Sequence, residues 1–337
     1  MRPRHLRPLA DRHCTPTRRH VLAGIAASLA ASSAAARAPT LDRPARIVVG
    51  YPGGGAADIF ARLYADRLAG TYAPSVIVEN KPGASARLAV ETVKSAAPDG
   101  TTILCTPESV LTITPHIYPN TTRYDGLADF VPVSAIASIP FAFAVSAQHP
   151  ARTLEEFFIW AARQGDFPFS SPAAGSTPHL LAELMARQRG LQMTHVSYRG
   201  TGAALIDLGA GRIMALMATL GDLVEHHRAG KLRILAVTAP HRLPKLPDVP
   251  AFAELGLPDV TGETWNVLML PAQTPRPIVN SLYQAVVKAA QDPALRNRLD
   301  QIEAAAITCT PEEMATRLAA EHARWRNIVR TVGFVGE

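Results

Sequence analysis

The sequence has 337 residues, of which 47% are hydrophobic, 18% charged and 6% aromatic. This composition predicts a folded protein of about two domains and excludes a disordered chain, a collagen and a disulfide-stapled miniprotein. The formal net charge is +6, but residues 1–38 contain seven arginines and one aspartate, which leaves 27 basic and 27 acidic side chains in the rest of the chain. The folded part is therefore neutral, and we expect it to have no nucleic-acid-binding surface.

The amino terminus has the pattern of an export signal. Residues 1–20 are rich in arginine and histidine, and residues 21–36 are uncharged, small and apolar. This order is typical of a cleavable signal peptide, so we expect a periplasmic protein that is cleaved after Ala36. The pair Arg18-Arg19 fits a twin-arginine signal as well as a general secretory signal, which leaves the export route open.

After the signal, short apolar segments alternate with amphipathic ones. Apolar strands separated by helices predict an α/β fold with mostly parallel sheets covered on both faces. The predicted strands are residues 47–51, 75–80, 101–106, 141–145, 167–171, 194–198, 212–217, 232–237 and about 265–270. The predicted helices are residues 56–68, one ending near 96, one opening at 153, 176–189, one ending near 210, and three after residue 271.

Two cysteines, Cys105 and Cys309, remain after the signal. They can form a disulfide in an oxidising compartment, but both lie in apolar segments that resemble strands. We therefore favour free buried thiols over a disulfide.

The usual enzyme signatures are missing from the sequence. It contains no phosphate-binding loop of the GxxxxGK[ST] type, no complete dinucleotide loop, no GxSxG elbow and no HExxH. We therefore expect no cofactor and no metal. Ser176 and His179 lie three residues apart at a helix start, which leaves a hydrolase dyad as a less favoured reading.

Three glycine-containing loops join a strand to a helix. They are residues 51–58, 171–177 and 198–202. Glycines let main-chain N–H groups approach a guest, and a helix start adds partial positive charge, so the three loops together predict a carboxylate pocket. For any single loop, a tight turn that only caps its helix is the simpler reading.

Asp58 complicates the first loop, because a carboxylate repels a carboxylate. Its side chain has several possible roles that the sequence leaves open. It can contact an ammonium group or a water, cap the helix, or pair with Arg62 one helical turn later.

The mature chain resembles the Bug family of extracytoplasmic solute receptors, the substrate-binding components of tripartite tricarboxylate transporters. The segments that carry the resemblance occur in family order and include PARIVVGYPGGGAADIFAR, VENKPGA, PDGTTIL, SSPAAGSTPHLLAELM and HVSYRGTGAALIDLGAGRI. They continue with AGKLRILAVTAPHRLPKLPDVPAFAELGLP, then Trp265 and PAQTP. Together they cover most of residues 44–333.

This resemblance implies a two-lobed periplasmic binding fold, similar to type II, with a ligand cleft between the lobes. One lobe would hold residues 39–140 plus 260–337 and the other residues 141–259, so the chain would cross twice. It also implies a monomeric, non-catalytic receptor that captures a small organic acid for transporter membrane subunits. A ligand-presenting sensory module is an alternative that the sequence does not distinguish.

The resemblance assigns ligand contacts to all three loops. They are Tyr51, Gly53, Gly54, Gly55 and Asp58 in the first loop, Ser171, Gly175, Ser176, Thr177 and His179 in the second, and Tyr198 and Gly200 in the third, with Thr106 and Asp222 as further candidates. One departure from the family follows the KPGA turn, where Ser85-Ala86-Arg87-Leu88 replaces a second glycine-rich stretch. If Arg87 enters the cleft, we expect a larger or more acidic ligand; an exposed surface residue is the other reading.

Overall fold

The computed structural model describes residues 41–198 and 200–336. The proposed export signal, residues 1–36, lies outside the described residues. The strands are β1 (Ala45–Val49), β2 (Val76–Asn80), β3 (Thr102–Pro107), β4 (Phe130–Ser146), β5 (Asp166–Ser171), β6 (Gln192–Ser197), β7 (Ala215–Thr219), β8 (Leu232–Val237), β9 (Glu263–Pro271) and β10 (Ala305–Ala306).

The α-helices are α1 (Ala56–Leu68), α2 (Arg87–Lys94), α3 (Ser109–Thr112), α4 (Thr114–Ile117), α5 (Leu154–Gln164), α6 (Thr177–Gln188), α7 (Thr201–Gly209), α8 (Leu220–Arg228), α9 (Arg276–Ala290), α10 (Pro293–Asp300) and α11 (Pro311–Val332). Two short 3-10 helices cover Ala84–Ala86 and Phe252–Leu255. The predicted strands and helices are therefore confirmed, and most boundaries agree within three residues.

The strand β4 is the main element that the sequence analysis did not foresee in full. Only its last part, residues 141–145, was predicted, yet it runs for 17 residues. Its earlier part contains Pro132 and Pro140. Proline has no N–H to donate to a neighbouring strand, so these two residues argue against a strand in the sequence. The structure accommodates Pro132 beside a register shift in the pairing with β9.

All ten strands belong to one curled, mixed sheet in the order β2-β1-β3-β9-β4-β7-β5-β6, with β8 and β10 also paired to β4. Strands β1, β2 and β3 run parallel, as do β5, β6 and β7. The pairings of β9 with β3 and of β4 with β7, β8, β9 and β10 are antiparallel. The sheet is thus parallel in its outer parts and antiparallel around β4.

This topology brings two sets of strand ends together. Pro107, the last residue of β3, pairs with Asn266, which in turn pairs with Ala137 of β4. Thr219, the last residue of β7, pairs with Phe141 of β4. The carboxyl ends of the parallel strands on both sides therefore converge on the middle of β4, and ligands of open α/β sheets bind at such ends.

The core consists of three clusters of buried apolar side chains. Helix α11 contributes to two of them, with Met314 and Leu318 in one and Trp325 and Ile328 in another. The carboxyl-terminal helix thus links two of the three clusters. The lobe boundaries given above remain a prediction.

The two cysteines are free thiols. Cys105 is buried in β3, and Cys309 is half-buried, with its Sγ 3.6 Å from Met314 Sδ. None of the described helices has both the length and the apolar character needed to cross a membrane.

Candidate functional site

A cavity of about 490 Å³ lies where the strand ends converge. The first loop contributes Tyr51, Gly53 and Gly55, and the second contributes Ser176 and Thr177. Residues of β3, β4, β7 and β9, together with Ser109, form the rest of the wall. The structure thus brings two of the three predicted loops to one cavity.

The first loop leaves several main-chain donors free. It connects β1 to α1, whose N-cap is Gly55, and no described side chain caps this helix. Among the described residues, the amides of Gly53 and Ala56 have no hydrogen-bond acceptor. An uncapped helix start with unpartnered N–H groups is favourable for an anion.

Gly54 and Asp58 form a hydrogen bond within the first loop. The Gly54 N–H donates to Asp58 Oδ2 at 2.9 Å, and Gly54 has the left-handed φ of 88° that glycine adopts most easily. Asp58 is 3% exposed and also accepts from Arg62 Nε and Asn80 Nδ2, each at 2.9 Å. Its carboxylate therefore braces the loop from behind and does not line the cavity.

The charge of Asp58 is stabilised by these contacts. Burial raises the pKa of the carboxyl, but hydrogen bonds from Arg62, Gly54 and Asn80 outweigh it, and the net pKa lies below its ordinary value. Asp58 is thus a buried anion whose oxygens already have partners.

The second loop is built in the same way at the start of α6. Its N-cap is Ser176, no described side chain caps the helix, and the Thr177 amide has no acceptor among the described residues. Ser176 Oγ donates to the carbonyl of Ala173 at 2.6 Å, and Ser171 Oγ donates to the same carbonyl at 3.0 Å. The Thr177 side chain is 3% exposed and lies at the cavity wall.

Two histidines hold the second loop from behind. His179 Nδ1 accepts from the Gly175 N–H at 2.9 Å, and Nε2 of His195 lies 2.8 Å from Ser171 Oγ. The two rings are 4.0 Å apart. Burial, followed by the neighbouring His179, lowers the pKa of His195 to about 3, so this ring is neutral at physiological pH.

This arrangement does not form the Ser176–His179 dyad. Ser176 Oγ donates to a carbonyl, and the nitrogen of His179 that could act as a base accepts from Gly175. Ser176 and His179 therefore lack the hydrogen bond that an activated nucleophile requires.

The third loop lies beside the second and outside the cavity lining. The Gly200 N–H donates to the carbonyl of Pro172 at 3.2 Å. The Tyr198 hydroxyl donates to Asp207 Oδ2, and Asp222, which is exposed, accepts from Thr201 at 2.7 Å. The structure does not bring Tyr198, Gly200 or Asp222 to the cavity wall.

Thr106 and Arg87 are also placed elsewhere. Thr106 pairs with Val267 in β9, so it lies on the opposite face of the sheet from Pro107 and Asn266, which line the cavity. The Arg87 guanidinium lies 4.5 Å from the centre of the Tyr118 ring and donates to Thr121 Oγ1 at 2.7 Å. Arg87 does not line the cavity.

Several lining residues were missed by the sequence analysis. The lining includes Ile139 and Phe141 of β4, Thr219 at the end of β7, and Thr264 and Asn266 of β9. The one available signal is Asn266, a polar residue inside the apolar run WNVLML. The others lie in ordinary strand sequences, and only the pairing of β4 with β7 and β9 brings them together.

The described lining carries no charged side chain. Glu108, between the lining residues Pro107 and Ser109, is buried and accepts from the Trp265 N–H at 3.0 Å. Burial raises the pKa of Glu108 to about 8, and burial with this carboxyl nearby raises the pKa of Tyr51 to about 12. Both groups are therefore uncharged at pH 7, and the cavity offers an anion neutral donors without a repelling carboxylate.

Comparison with known proteins identifies the family of the chain. The family described as tripartite tricarboxylate transporter family receptor matches residues 60–334. BugT of Bordetella pertussis is 31% identical over 92% of this chain and 94% of its own length. The chain belongs to this family of solute receptors.

Solved structures resemble the whole described fold. A protein of R. palustris solved with adipate is 31% identical, with a TM-score of 0.77 over 86% of this chain and 97% of its own. MatC of Rhodopseudomonas palustris, solved with malate, is 30% identical, with a TM-score of 0.74 over 85% and 99%. The fold is accordingly that of the two-lobed periplasmic binding proteins.

Proposed function

We propose that this protein is a periplasmic receptor that captures a small organic acid and delivers it to the membrane subunits of a tripartite transporter. One observation carries the proposal. Two helices, α1 and α6, begin at one cavity whose described lining is uncharged, and no described side chain caps either start. Each start presents free N–H groups and partial positive charge, which together suit a carboxylate.

Binding follows from this arrangement. The acid enters between two lobes, residues 39–140 plus 260–337 and residues 141–259, and its carboxylate accepts hydrogen bonds from both loops. The lobes then close by a hinge, which removes water and strengthens each charged hydrogen bond. The closed form docks on the membrane subunits, and the export signal of residues 1–36 places the monomeric receptor in the periplasm.

The protein acts by binding and release, without covalent chemistry. Ser176 and His179, the only residues that suggested a hydrolase in the sequence, each donate to or accept from a main-chain group of their own loop. The adipate and malate complexes of relatives support small carboxylates as ligands.

The test is a calorimetric and thermal-shift screen of mono-, di- and tricarboxylates with the chain from residue 37 onward. A true ligand at 100 times its Kd stabilises the fold by about 2.7 kcal/mol. Native mass spectrometry of protein purified from its own periplasm identifies a retained acid.

A pair of variants at Ala56 shows whether the helix start is the anion site. Ala56 is exposed and lines the cavity at the first position of α1. Ala56→Asp places a carboxylate where the ligand binds, and an acid in the first turn favours the helix, so folding is retained while binding is lost. Ala56→Asn has the same size without charge and should keep most of the affinity. Equal binding by both variants would contradict the proposal.

A further inference from the structure

We infer that the ligand is a carboxylate with an apolar body and a neutral hydrogen-bonding group that meets Asn266. This inference rests on the proposed function and narrows the class of acid that the same cavity takes.

The wall between the two helix starts is largely apolar. Ile139 and Phe141 project from β4, and Pro107, Pro172 and Pro178 contribute further apolar surface. An apolar ligand body removes this surface from water on binding. A ligand body with many polar groups would instead lose its hydrogen bonds to water and find no hydrogen-bond partners on this surface.

A second ionic group finds no counter-ion on the described lining. Asp58 is turned away and bound by Arg62 and Asn80, so it does not receive an ammonium group. Arg87 is engaged by Tyr118 and Thr121 outside the cavity. An ammonium or a second carboxylate would therefore be buried without an opposite charge.

Asn266 is the distinctive polar group on the wall. It is 2% exposed, and its Oδ1 is buried without a hydrogen-bond partner among the described residues. Its cross-strand neighbours, Pro107 and Ala137, have no polar side-chain atoms. A buried acceptor without a donor is costly, so a neutral ligand group that donates a hydrogen bond to Asn266 Oδ1, such as a hydroxyl, satisfies it.

Two matched ligand series test this inference. The straight-chain series is hexanoate, 6-hydroxyhexanoate and adipate, and the ring series is benzoate, 4-hydroxybenzoate and benzene-1,4-dicarboxylate. Within a series the carboxylate and the body stay the same, and the distal group changes from apolar to hydroxyl to charged. In at least one series we expect the hydroxy acid to bind about tenfold more tightly than either of the other two.

A variant then assigns the preference to its residue. Asn266→Leu keeps the size of the side chain and removes its amide, so we expect the preference of hydroxy acid over unsubstituted acid to fall below about twofold. Replacing an unpartnered buried amide by an apolar group should leave the fold intact or stabilise it. Asn280→Leu, the same exchange at an exposed position of α9, is the control and should keep the wild-type preference.

The outcomes separate the two proposals. The inference is overturned if the hydroxy acid is the tightest binder in neither series, if its preference survives Asn266→Leu, or if neither series binds while another acid of the screen does. The proposed function itself fails if no carboxylate of the screen binds, and the inference then fails with it.

Discussion

In each of the two loops that face the cavity, a side chain accepts a hydrogen bond from a glycine amide, but the two side chains differ in kind. The first, residues 51–58, is braced by a buried anion, because Asp58 accepts from the Gly54 amide and from Arg62. The second, residues 171–177, is braced by an imidazole, because His179 accepts from the Gly175 amide. Each loop thus uses one glycine amide for its own support and leaves neighbouring amides for a ligand.

The difference extends to the groups behind each loop. Glu108, behind the first, is a carboxyl with its pKa raised to about 8, whereas His195, behind the second, is an imidazole with its pKa lowered to about 3. Burial is the main cause in both cases, since it disfavours the charged form. The first loop region is therefore the more sensitive to alkali and the second the more sensitive to acid.

Removing the anion of the first loop should have the largest effect. Asp58→Ala leaves the Gly54 amide, Arg62 and Asn80 without their acceptor, and we expect the free energy of unfolding to fall by about 3 kcal/mol. Carboxylate affinity should fall at least about tenfold, since the loop is no longer held. Urea unfolding and calorimetry measure the two changes.

The control for this prediction is Asp222→Ala. Asp222 is exposed and accepts one hydrogen bond from Thr201, so its loss should cost less than about 1 kcal/mol. Similar losses in the two variants would show that Asp58 is not a special support.

The sensitivity of the first loop region to alkali is tested at Glu108. The folded-state pKa of about 8 lies above the ordinary value of 4.5, so the protonated carboxyl stabilises the fold fully below pH 4.5 and this contribution is lost as the pH rises through 8. Glu108→Gln keeps the acceptor for the Trp265 amide and cannot ionise. We expect the variant to be more stable than the wild type by about 2 kcal/mol at pH 6 and to be similar at pH 4.5, measured by urea unfolding. A constant difference across this range would argue against a buried neutral carboxyl.

Alanine substitutions at Gly54 and Gly175 separate the cost of backbone strain from the cost of steric crowding by an added Cβ. Both have left-handed φ angles, 88° at Gly54 and 73° at Gly175, so alanine costs about 1 kcal/mol at either position. At Gly175 an added Cβ would also lie 2.9 Å from Phe334 Cε1 and 3.0 Å from Ile117 Cδ1, whereas at Gly54 nothing lies within 4 Å.

We therefore expect Gly175→Ala to destabilise the protein by about 2 kcal/mol and Gly54→Ala by about half as much. Thermal unfolding of the two variants in parallel measures the difference. Equal losses would mean that the second loop yields to the added methyl group as easily as the first.

The sensitivity of the second loop to acid is tested at His195. Its folded-state pKa of about 3 lies below the ordinary 6.5, so as the pH falls between these values the unfolded chain takes up the proton first and stability declines. His195→Gln retains a donor for Ser171 and does not titrate. We expect its melting temperature to fall less steeply than that of the wild type between pH 6.5 and 4, and to differ little in slope above pH 7.

Much of this architecture was predictable because it depends on local patterns. Apolar runs and glycine turns marked the strands, and Asp292-Pro293 and Thr310-Pro311 marked the starts of α10 and α11, where Asp292 and Thr310 cap the helices. The glycine loops were found for the same reason, since left-handed backbone requires glycine at Gly54 and Gly175.

The cavity wall was not predictable, because it depends on pairing between distant strands. Asn266 meets Pro107 and Ala137 only through the antiparallel pairing of β9 with β3 and β4. The direction of Asp58 was equally undecided, since Arg62 is a local partner but Asn80 reaches it from the next strand.

The sequence by itself determined most of the elements, the two glycine loops and the family, because each depends on neighbouring residues. The tertiary structure alone decided which polar groups face the cavity and which turn inward. That choice depends on the curl of the sheet around β4, which brings strand ends from two halves of the chain to one place, and no local pattern contains this register.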